Sequence, residues 1–464
     1  MVLRQDKGVG LAIGVTILLS AILQSWAYWP GIMIYDAIRQ YDQALNGQFD
    51  DWHPPSFEWL WRQFLVFHSG PATMLLLQIL LYWAGFALLS SWALAERRRG
   101  LALAVLACAL FPISFALMGA VLKDSLMAGA LLTVAGLLAW HERRGGDWPW
   151  VMAAALLVCA MTVRFNAFLA GTPLLVGFLP IAQRQTRLRL ATVAVLTALP
   201  LAAAMPVANR LLHAKRSDVE LSLIIYDLGG ITEYSGVDAF PALPIADKVA
   251  VNHRCYSSVK WDRYAWWDDD PCPIGFDNIR TAFKKSGQSP TLFWAKAVIA
   301  HPLAYAEHRI GHFNTNVRLF VRGEIERPVP NQSDPNEWRF QVAPNPVNAA
   351  VDRAALWSAD TPFGWPVFWL AIALGVLVTQ PKRASSKVVA PIALSALLYG
   401  TGYLLVSVAS EMRYHLWTMV GAMIAATIAI ADIVADNSSS RWTALWMFAP
   451  AGCVTLAGLA WRLM

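Results

Sequence analysis

Charged side chains are scarce in this chain: Asp, Glu, Lys and Arg together make up 15% of its 464 residues. Hydrophobic residues make up 57%, whereas about 45–50% is usual in soluble domains. This composition argues against a soluble globular enzyme, and several apolar runs reach the roughly 20 residues that a membrane-spanning helix needs. Many of the 22 Trp residues lie near the ends of these runs, as interfacial anchors do. The chain is therefore predicted to be an all-α polytopic membrane protein.

The sequence also lacks the motifs of several enzyme classes. It contains no Walker loop, no dinucleotide fingerprint and no Gly-x-Ser-x-Gly elbow, so a soluble nucleotide sugar is not an expected direct donor. The net charge of +6 comes largely from short loops between apolar runs, and no basic patch is interleaved with stacking aromatic residues. Membrane lipids are therefore expected partners, and nucleic acid is not.

About eleven apolar runs are predicted to span the membrane, although the short fifth and sixth runs can form one broken element. Basic residues recur in alternate loops, which are cytoplasmic by the positive-inside rule, so the N-terminus is expected inside and the C-terminus outside. The first run is too long for a secretory signal and lacks a small-residue cleavage site, so it is expected to be retained. The predicted spans are 9–29, 71–94, 101–120, 125–141, 148–163, 167–183, 190–207, 363–380, 388–409, 416–434 and 442–461. The basic residues behind this topology are Arg4, Lys7, Arg97, Arg98, Arg99, Arg143, Arg144, Arg184, Arg187, Arg189, Lys382, Arg383, Lys387 and Arg441.

These spans divide the chain into three parts. An N-terminal transmembrane module, 1–207, contains a first outer loop at 30–70; a mixed outer domain occupies 208–362; and C-terminal transmembrane helices occupy 363–464. The outer domain contains Cys255 and Cys272, while the other three cysteines lie inside spans. On an oxidising face these two are predicted to form a disulfide whose constraint is worth roughly 3 kcal/mol; two free thiols are the alternative.

The outer domain contains further polar and aromatic groups. Four aromatic residues lie between the two cysteines beside acidic residues, and they suit either sugar stacking or, as we favour, the packing of a small core: Trp261, Tyr264, Trp266 and Trp267. Residues 226–230 are a candidate loop returning to the pocket. His308 and His312 have the i, i+4 spacing of metal ligands, but no third ligand is evident.

The first outer loop has the pattern of an amphipathic helix. One apolar face follows the 3, 4, 7 spacing of a helix, and the opposite face is polar; the two faces consist of Ile34, Ile38, Tyr41 and Leu45, and of Asp36, Gln40 and Gln43. We predict an interfacial helix that turns Asp36 toward water and ends at Gly47. A second interfacial helix is expected after His53-Pro54-Pro55. An ordinary amphipathic connector with a solvated Asp36 is the alternative.

Polar and ionisable residues outside the cytoplasmic loops fall at the outer ends of the predicted spans. Hydrocarbon disfavours each such group by about 2.5–3.5 kcal/mol at a helix centre, so these groups are expected to gather in a watery pocket. Four helix ends supply them: Asp36, Gln40 and His53 after the first span, Lys123 and Asp124 after the third, Arg164 and Asn166 after the fifth, and Glu411, Arg413 and His415 after the ninth.

In their order and sidedness these residues resemble the polyprenyl-phosphate-sugar-dependent glycosyltransferases of the GT-C superfamily. Asp36 followed by His53-Pro54-Pro55 resembles the first outer-loop motif, and Lys123-Asp124 is similar to the second acidic position. Arg164-Phe165-Asn166 resembles an Arg-x-Asn of bacterial branches, and residues 411–415 look like the late Arg-Tyr segment. The likeness covers residues 1–180 and, loosely, the C-terminal spans, but not 208–362. It implies a GT-C-like fold and inverting transfer in the bacterial inner membrane, with the active site on the periplasmic side.

Transfer of a sugar from a polyprenyl phosphate sets clear chemical demands. Negative charge grows on the departing phosphate, so cations must stabilise it; Lys123, Arg164 and Arg413 are the candidates. The attacking hydroxyl loses a proton to a carboxylate, for which Asp36 is the first choice. Asp124 is the second, either orienting the acceptor or binding a divalent cation, Mg²⁺ or Mn²⁺, together with Asp36. The candidate substrate-binding residues are Gln40, His53, Asn166, Glu411 and His415.

Each candidate also has a purely structural explanation. The alternatives are snorkelling of Lys123 to the headgroups, an N-cap role for Asp124, satisfaction of backbone groups by Arg164 and Asn166, a local ion pair of Glu411 with Arg413, and turn stabilisation by His53.

Three functions follow in order of preference. The first is an integral-membrane glycosyltransferase, a hexosyl- or pentosyltransferase, that moves a sugar from a polyprenyl-phosphate-linked donor to a glycan, lipid or protein acceptor in cell-envelope polysaccharide biosynthesis. The second is a transporter or flippase for a lipid-linked saccharide, although transporters usually have repeated halves with polar groups near the midplane. The third is a non-catalytic partner in envelope assembly.

Overall fold

The computed structural model describes residues 2–179, 187–323, 325–379, 385–436 and 441–464. The chain is 72% helical, and the described residues form three isolated β-bridges and no β-strand. The prediction of an all-α protein is confirmed. The outer domain, which the sequence suggests to be mixed, is helical in its described part.

The helices of the described residues follow one another with short connections in most of the chain. In chain order they are α1 (Val2–Ala27), α2 (Tyr35–Asn46), α3 (Pro55–Phe64), α4 (Ala72–Ala95), α5 (Arg99–Cys108), α6 (Pro112–Leu117), α7 (Lys123–Arg144), α8 (Trp148–Thr162), α9 (Phe168–Gly177), α10 (Arg187–Leu211), α11 (Glu220–Ser235), α12 (Lys248–Cys255), α13 (Phe276–Ser286), α14 (Pro290–Ala300), α15 (Pro302–Val317), α16 (Pro346–Ala359), α17 (Pro366–Thr379), α18 (Ser386–Val406), α19 (Leu416–Ala435) and α20 (Arg441–Leu463).

Two compact units make up the chain. The first comprises Met1–Lys215, Arg327–Thr401 and Met412–Leu456, and the second comprises Arg216–Glu326, Gly402–Glu411 and Ala457–Met464. Helices α1 to α10, α16, α17 and α19 therefore belong to the first unit, and α11 to α15 to the second. The boundary differs from the predicted outer domain, because residues 327–362 belong to the first unit.

Seven helices in the described part of the chain are long and apolar enough to cross a membrane. They are Gly8–Ala27, Ala72–Ala95, Lys123–Arg144, Leu188–Leu211, Lys387–Val406, Met412–Ala435 and Trp442–Leu463. They support the prediction of a multi-pass membrane protein, and each coincides with one of the predicted spans.

The other four predicted spans coincide with shorter apolar helices, namely α5, α8, α9 and α17, so the count of eleven stays a prediction. The predicted span at 101–120 is not continuous. Its helix ends at Cys108 and a new one starts at Pro112, because proline lacks an N–H donor and disfavours helical backbone in the preceding residue. Phe111 is accordingly outside the helical region, with ψ of 120°.

Helix α7 is the centre of the first unit, and 89% of its most apolar stretch is buried. Its close approach to α4 requires glycine: a Cβ on Gly85 would lie 2.5 Å from Leu132 Cγ, and one on Gly136 would lie 2.6 Å from Leu88 Cβ. A rigid, central α7 fixes the position of the two ionisable residues at its first turn.

Ion pairs join the ends of several helices that were predicted to be cytoplasmic. Arg98 pairs with Asp432 at 2.7 Å, Lys387 pairs with Glu142 at 3.2 Å, and Arg143 pairs with Glu96. These helix ends therefore lie on the same side of the first unit. For some of the other basic residues behind the predicted topology, either the whole residue or its side chain lies outside the described part of the chain. They are Arg4, Lys7, Arg184, Arg187, Lys382, Arg383 and Arg441.

Candidate functional site

Helix α2 presents Asp36 in its first turn. It ends where predicted, at Gly47, whose φ of 71° is readily adopted by glycine. The face assignment was partly wrong: Gln40 and Gln43 are buried, and Leu45 is 40% exposed. Gln43 is drawn inward because its Oε1 accepts a hydrogen bond from the Asp50 N–H at 2.8 Å.

A short backbone contact brings α2 next to the start of α7. Ile32 N–H donates to Gly119 O at 3.1 Å, and Val121 N–H donates to Ile32 O at 2.9 Å. Two further hydrogen bonds hold the start of α2 from another direction, since Ser333 Oγ accepts from Met33 N–H and Asp334 Oδ2 accepts from Tyr35 N–H. Asp36 and the first turn of α7 are thereby held close together.

Asp36 is the centre of a charged cluster. Its Oδ2 lies 2.9 Å from Arg413 Nη1 and 3.3 Å from Lys123 Nζ, and its Oδ1 lies 3.7 Å from His53 Nε2. The carboxylate side chain is 27% exposed, whereas Lys123, Arg413 and His53 are nearly buried. Four residues that are distant in sequence thus meet around one carboxylate that solvent or a ligand can reach.

Burial and the charges of the cluster set the protonation states of Asp36 and His53. Burial alone would raise the pKa of Asp36, but the charges of Arg413 and Lys123 outweigh it and hold that pKa well below the usual value. Burial and the Lys123 charge hold the pKa of His53 well below its ordinary value. At neutral pH Asp36 is therefore ionised and His53 is uncharged.

A second ion pair lies beside the first turn of α7. Asp124, which is fully buried, has its Oδ1 3.3 Å from Arg164 Nε. The Arg164 guanidinium stacks 4.4 Å above the ring of Tyr414, and the Arg413 guanidinium lies 5.5 Å from the same ring. Tyr414 therefore contacts one cation of each ion pair. It was not among the predicted site residues, although its position next to Arg413 was a usable signal.

Two of the purely structural explanations, snorkelling of Lys123 and an N-cap role for Asp124, do not describe this arrangement. Lys123 is buried, and its ammonium contacts Asp36 and His53 instead of extending to a headgroup region. The N-cap of α7 is Leu122, without a side-chain cap, so Asp124 lies inside the first turn. A carboxylate in that position interacts favourably with the positive end of the helix dipole.

Several buried side chains of the first unit have polar atoms without a hydrogen-bond partner among the described residues, and three of them bear on the site. They are Gln40 through Nε2, Asn166 through both amide atoms, and Glu58 through both carboxyl oxygens. Buried polar groups are nearly always hydrogen-bonded, so each such group needs an explanation. Gln40 and Asn166 were predicted to bind substrate. Glu58 was missed, although a single acid within the aromatic stretch Phe57–Trp61 was a recognisable signal.

The remaining predicted site residues have different positions. His415 is fully buried at the start of α19, and Glu411 is half-buried and belongs to the second unit. Cys255 and Cys272 form a disulfide in the second unit, with 5.7 Å between their Cα atoms. In that unit Trp261 and Tyr264 are buried, while Trp266 and Trp267 are about half exposed and contact each other edge to face.

The second unit has its own buried polar network, on α11 and α15. Asp227 pairs with Arg309 and, at 3.2 Å, with His308 Nε2. His312 Nδ1 lies 2.8 Å from Ser258 O, and burial lowers its pKa to about 3. Residues 226–230, suggested to be a loop, lie inside α11. This network holds the two helices together.

The charges of the first unit's cluster suit an anionic ligand. Three cations, Lys123, Arg164 and Arg413, face two carboxylates, Asp36 and Asp124, which leaves a formal charge of 3 − 2 = +1. Among the described residues no group of three or more His, Cys, Asp and Glu side chains is arranged to hold a metal ion. A divalent ion shared by Asp36 and Asp124 stays a prediction, because each carboxylate is here paired with cationic side chains.

Neither protein-family models nor curated protein sequences give a match to this chain.

Proposed function

We propose that the protein is an integral-membrane glycosyltransferase that moves a sugar from a polyprenyl-phosphate-linked donor to an acceptor hydroxyl at the outer face of the membrane in which it is embedded. The observation that carries the proposal is the contact of Arg413 and Lys123 with one oxygen of Asp36. It joins the candidate phosphate-binding cations to the candidate base, two groups that this reaction needs side by side.

Lys123 and Arg413 would bind the donor phosphate. Both are buried, and in such surroundings a positive charge stabilises developing negative charge more strongly than in water. Arg413 offers a planar set of N–H donors suited to phosphate oxygens. Tyr414, beneath the guanidinium of Arg164, would keep the third cation in place.

Asp36 would accept the proton of the attacking hydroxyl. In the resting protein its two cations make it a weak base, as its lowered pKa indicates. A bound phosphate competes for both cations, so donor binding would raise the proton affinity of Asp36 at the moment when a base is needed. The site would thus become basic only in the presence of the donor.

The transfer step balances without another reactant. The acceptor oxygen forms a bond to the anomeric carbon, the bond from that carbon to the phosphate oxygen breaks, and its electron pair leaves on the polyprenyl phosphate. The hydroxyl proton moves to Asp36. Direct displacement inverts the anomeric centre.

The test uses purified protein in nanodiscs with a panel of polyprenyl-phosphate-linked hexoses and pentoses and a lipid and glycan extract. We expect release of polyprenyl phosphate with at least one donor, and loss of that release in Asp36→Asn. Asp42→Asn is the matched control, because Asp42 is an exposed carboxylate on the same helix.

Two results would contradict the proposal. One is full activity of a correctly folded Asp36→Asn protein. The other is movement of intact lipid-linked saccharide across sealed vesicles with no donor consumed, which would favour a transporter or flippase. Binding of donor with neither reaction would favour a non-catalytic partner in envelope assembly.

A further inference from the structure

Glu58 is a buried acid that none of the interactions described above explains. It lies in the first turn of α3, its exposure is 0%, and neither of its carboxyl oxygens has a hydrogen-bond partner among the described residues. Leaving a buried polar group unsatisfied destabilises a fold, and an apolar residue of similar size would avoid that cost. An acid at this position therefore points to a ligand that completes its hydrogen bonds.

The surroundings of Glu58 belong to the charged cluster. Helix α3 starts directly after His53 and Pro54, and His53 contacts Lys123 at 2.9 Å. Burial raises the pKa of Glu58 to about 9, an effect that Asp50 strengthens and that Lys123 and Arg39 oppose. The charges of Asp50, Lys123 and Arg39 therefore act on Glu58.

At neutral pH Glu58 is an uncharged carboxylic acid. In that form it offers one O–H donor and retains acceptor capacity on both oxygens. A pair of neighbouring hydroxyl groups offers the complementary donor and acceptor. A carboxylate would add a negative charge beside the proposed phosphate-binding cations, whereas a neutral acid does not.

We propose that Glu58 binds the sugar of the lipid-linked donor through hydrogen bonds from its carboxyl group to ring hydroxyls. The inference rests on the proposed function, because that sugar is covalently attached to the phosphate that Lys123 and Arg413 would bind. Gln40, on the adjacent α2, has a buried Nε2 without a partner and would donate to the same sugar.

The first experiment compares Glu58→Met with Glu58→Gln in nanodiscs. The probes are undecaprenyl phosphate and the member of the donor panel that the wild type binds most tightly. We expect Glu58→Met to weaken binding of the sugar-bearing lipid by about tenfold or more, as loss of hydrogen bonds in a buried site does. It should leave binding of undecaprenyl phosphate unchanged. Glu58→Gln, which keeps a neutral hydrogen-bonding group, should retain most of the affinity.

Thermal unfolding separates this role from a structural one. Removing an unsatisfied polar group should raise the unfolding temperature of Glu58→Met above that of the wild type. Higher stability combined with weaker sugar binding supports the proposal. Unchanged affinity for the sugar-bearing lipid overturns it, as does a wild type that binds no sugar-bearing lipid more tightly than undecaprenyl phosphate.

A second experiment does not depend on a variant. Dicyclohexylcarbodiimide, a hydrophobic reagent, reacts with protonated carboxyl groups, so it should label Glu58 at neutral pH and lose that reactivity as the pH rises through about 9. The exposed Glu337 is an internal control. At a concentration about ten times its dissociation constant, the sugar-bearing lipid occupies about nine tenths of the sites, so it should reduce Glu58 labelling about tenfold. Undecaprenyl phosphate should protect much less.

The outcomes distinguish the two proposals. If undecaprenyl phosphate binds to the wild type but the sugar-bearing lipid does not protect Glu58, the sugar contact is wrong and the proposed phosphate site stands. If neither lipid binds, the proposed function fails and this inference fails with it. If both lipids protect equally, Glu58 contacts the phosphate and not the sugar.

Discussion

The ammonium of Lys123 lies 2.9 Å from Nδ1 of His53. An ammonium group can only donate hydrogen bonds, so Nδ1 must be the acceptor. The single ring proton of the neutral imidazole is then on Nε2, which faces Asp36 Oδ1 at 3.7 Å. Lys123 therefore sets the tautomer of the histidine that lies beside the candidate base.

This contact predicts that His53 is neutral and protonated on Nε2 from pH 7 down into the mildly acidic range. Burial and the charge of Lys123 lower its pKa below the ordinary value of 6.5. The measurement is ¹⁵N NMR of histidine-labelled protein, with His53→Gln to assign the signal and the exposed His68 as reference. An imidazolium signal from His53 at pH 7 would contradict the assignment.

The lowered pKa of His53 also affects the free energy of unfolding. In the unfolded chain His53 takes up a proton near pH 6.5, whereas the folded protein resists protonation, so the free energy of unfolding should decrease as the pH falls below about 6.5. Asp36 has a lowered pKa, so its contribution stays intact until the pH falls below about 4. His53→Gln should remove the part of the pH dependence that lies between these values.

Arg413 is expected to matter more for lipid phosphate binding than cations elsewhere in the unit. Arg413→Gln should lower the affinity for undecaprenyl phosphate by about tenfold to a hundredfold, the effect of losing hydrogen bonds to a charged group worth about 1.5–3 kcal/mol. Arg143→Gln is the control. Arg143 lies in the last turn of α7, paired with Glu96, whereas Lys123 of the charged cluster lies at the start of that helix. Equal losses in the two variants would indicate nonspecific electrostatics.

The Asp124–Arg164 pair gives a prediction about stability. Arg164→Met leaves a buried carboxylate without its partner and should lower the free energy of unfolding by about 3–5 kcal/mol. The double variant Asp124→Asn/Arg164→Met has no such charge and should be clearly more stable than the single one. Tryptophan fluorescence during denaturation in detergent measures both. If the single and double variants unfold alike, the pair contributes no coupling.

Much of the fold was readable from the sequence because hydropathy is a local property. The seven long apolar helices coincide with predicted spans, and the end of α2 at Gly47 follows from glycine's tolerance of positive φ. The break before Pro112 was missed because the apolar run continues on both sides of it. A window that averages hydropathy does not register one missing N–H donor.

The site was less predictable because its contacts are long-range. The sidedness of the helix ends allowed Asp36, Lys123, Arg164 and Arg413 to be grouped, but not the choice of partner for each carboxylate. For Asp36, that choice depends on the backbone contact between Ile32 and Gly119. Helical periodicity predicted that Gln43 faces water. The periodicity contains no information about the hydrogen bond from Asp50 N–H that turns the Gln43 side chain inward.

The Cys255–Cys272 disulfide closes a loop with a sequence separation of 17 and should stabilise the second unit. A closed loop of this length is worth roughly 3 kcal/mol, so Cys255→Ser/Cys272→Ser should lower the free energy of unfolding of that unit by about this amount. Cys159→Ser is the control, because Cys159 is a free, exposed cysteine in α8. Alkylation of unreduced, denatured protein followed by mass spectrometry checks the pairing: Cys108, Cys159 and Cys453 should react, and Cys255 and Cys272 should react only after reduction. Alkylation of all five cysteines without a reductant would contradict the disulfide.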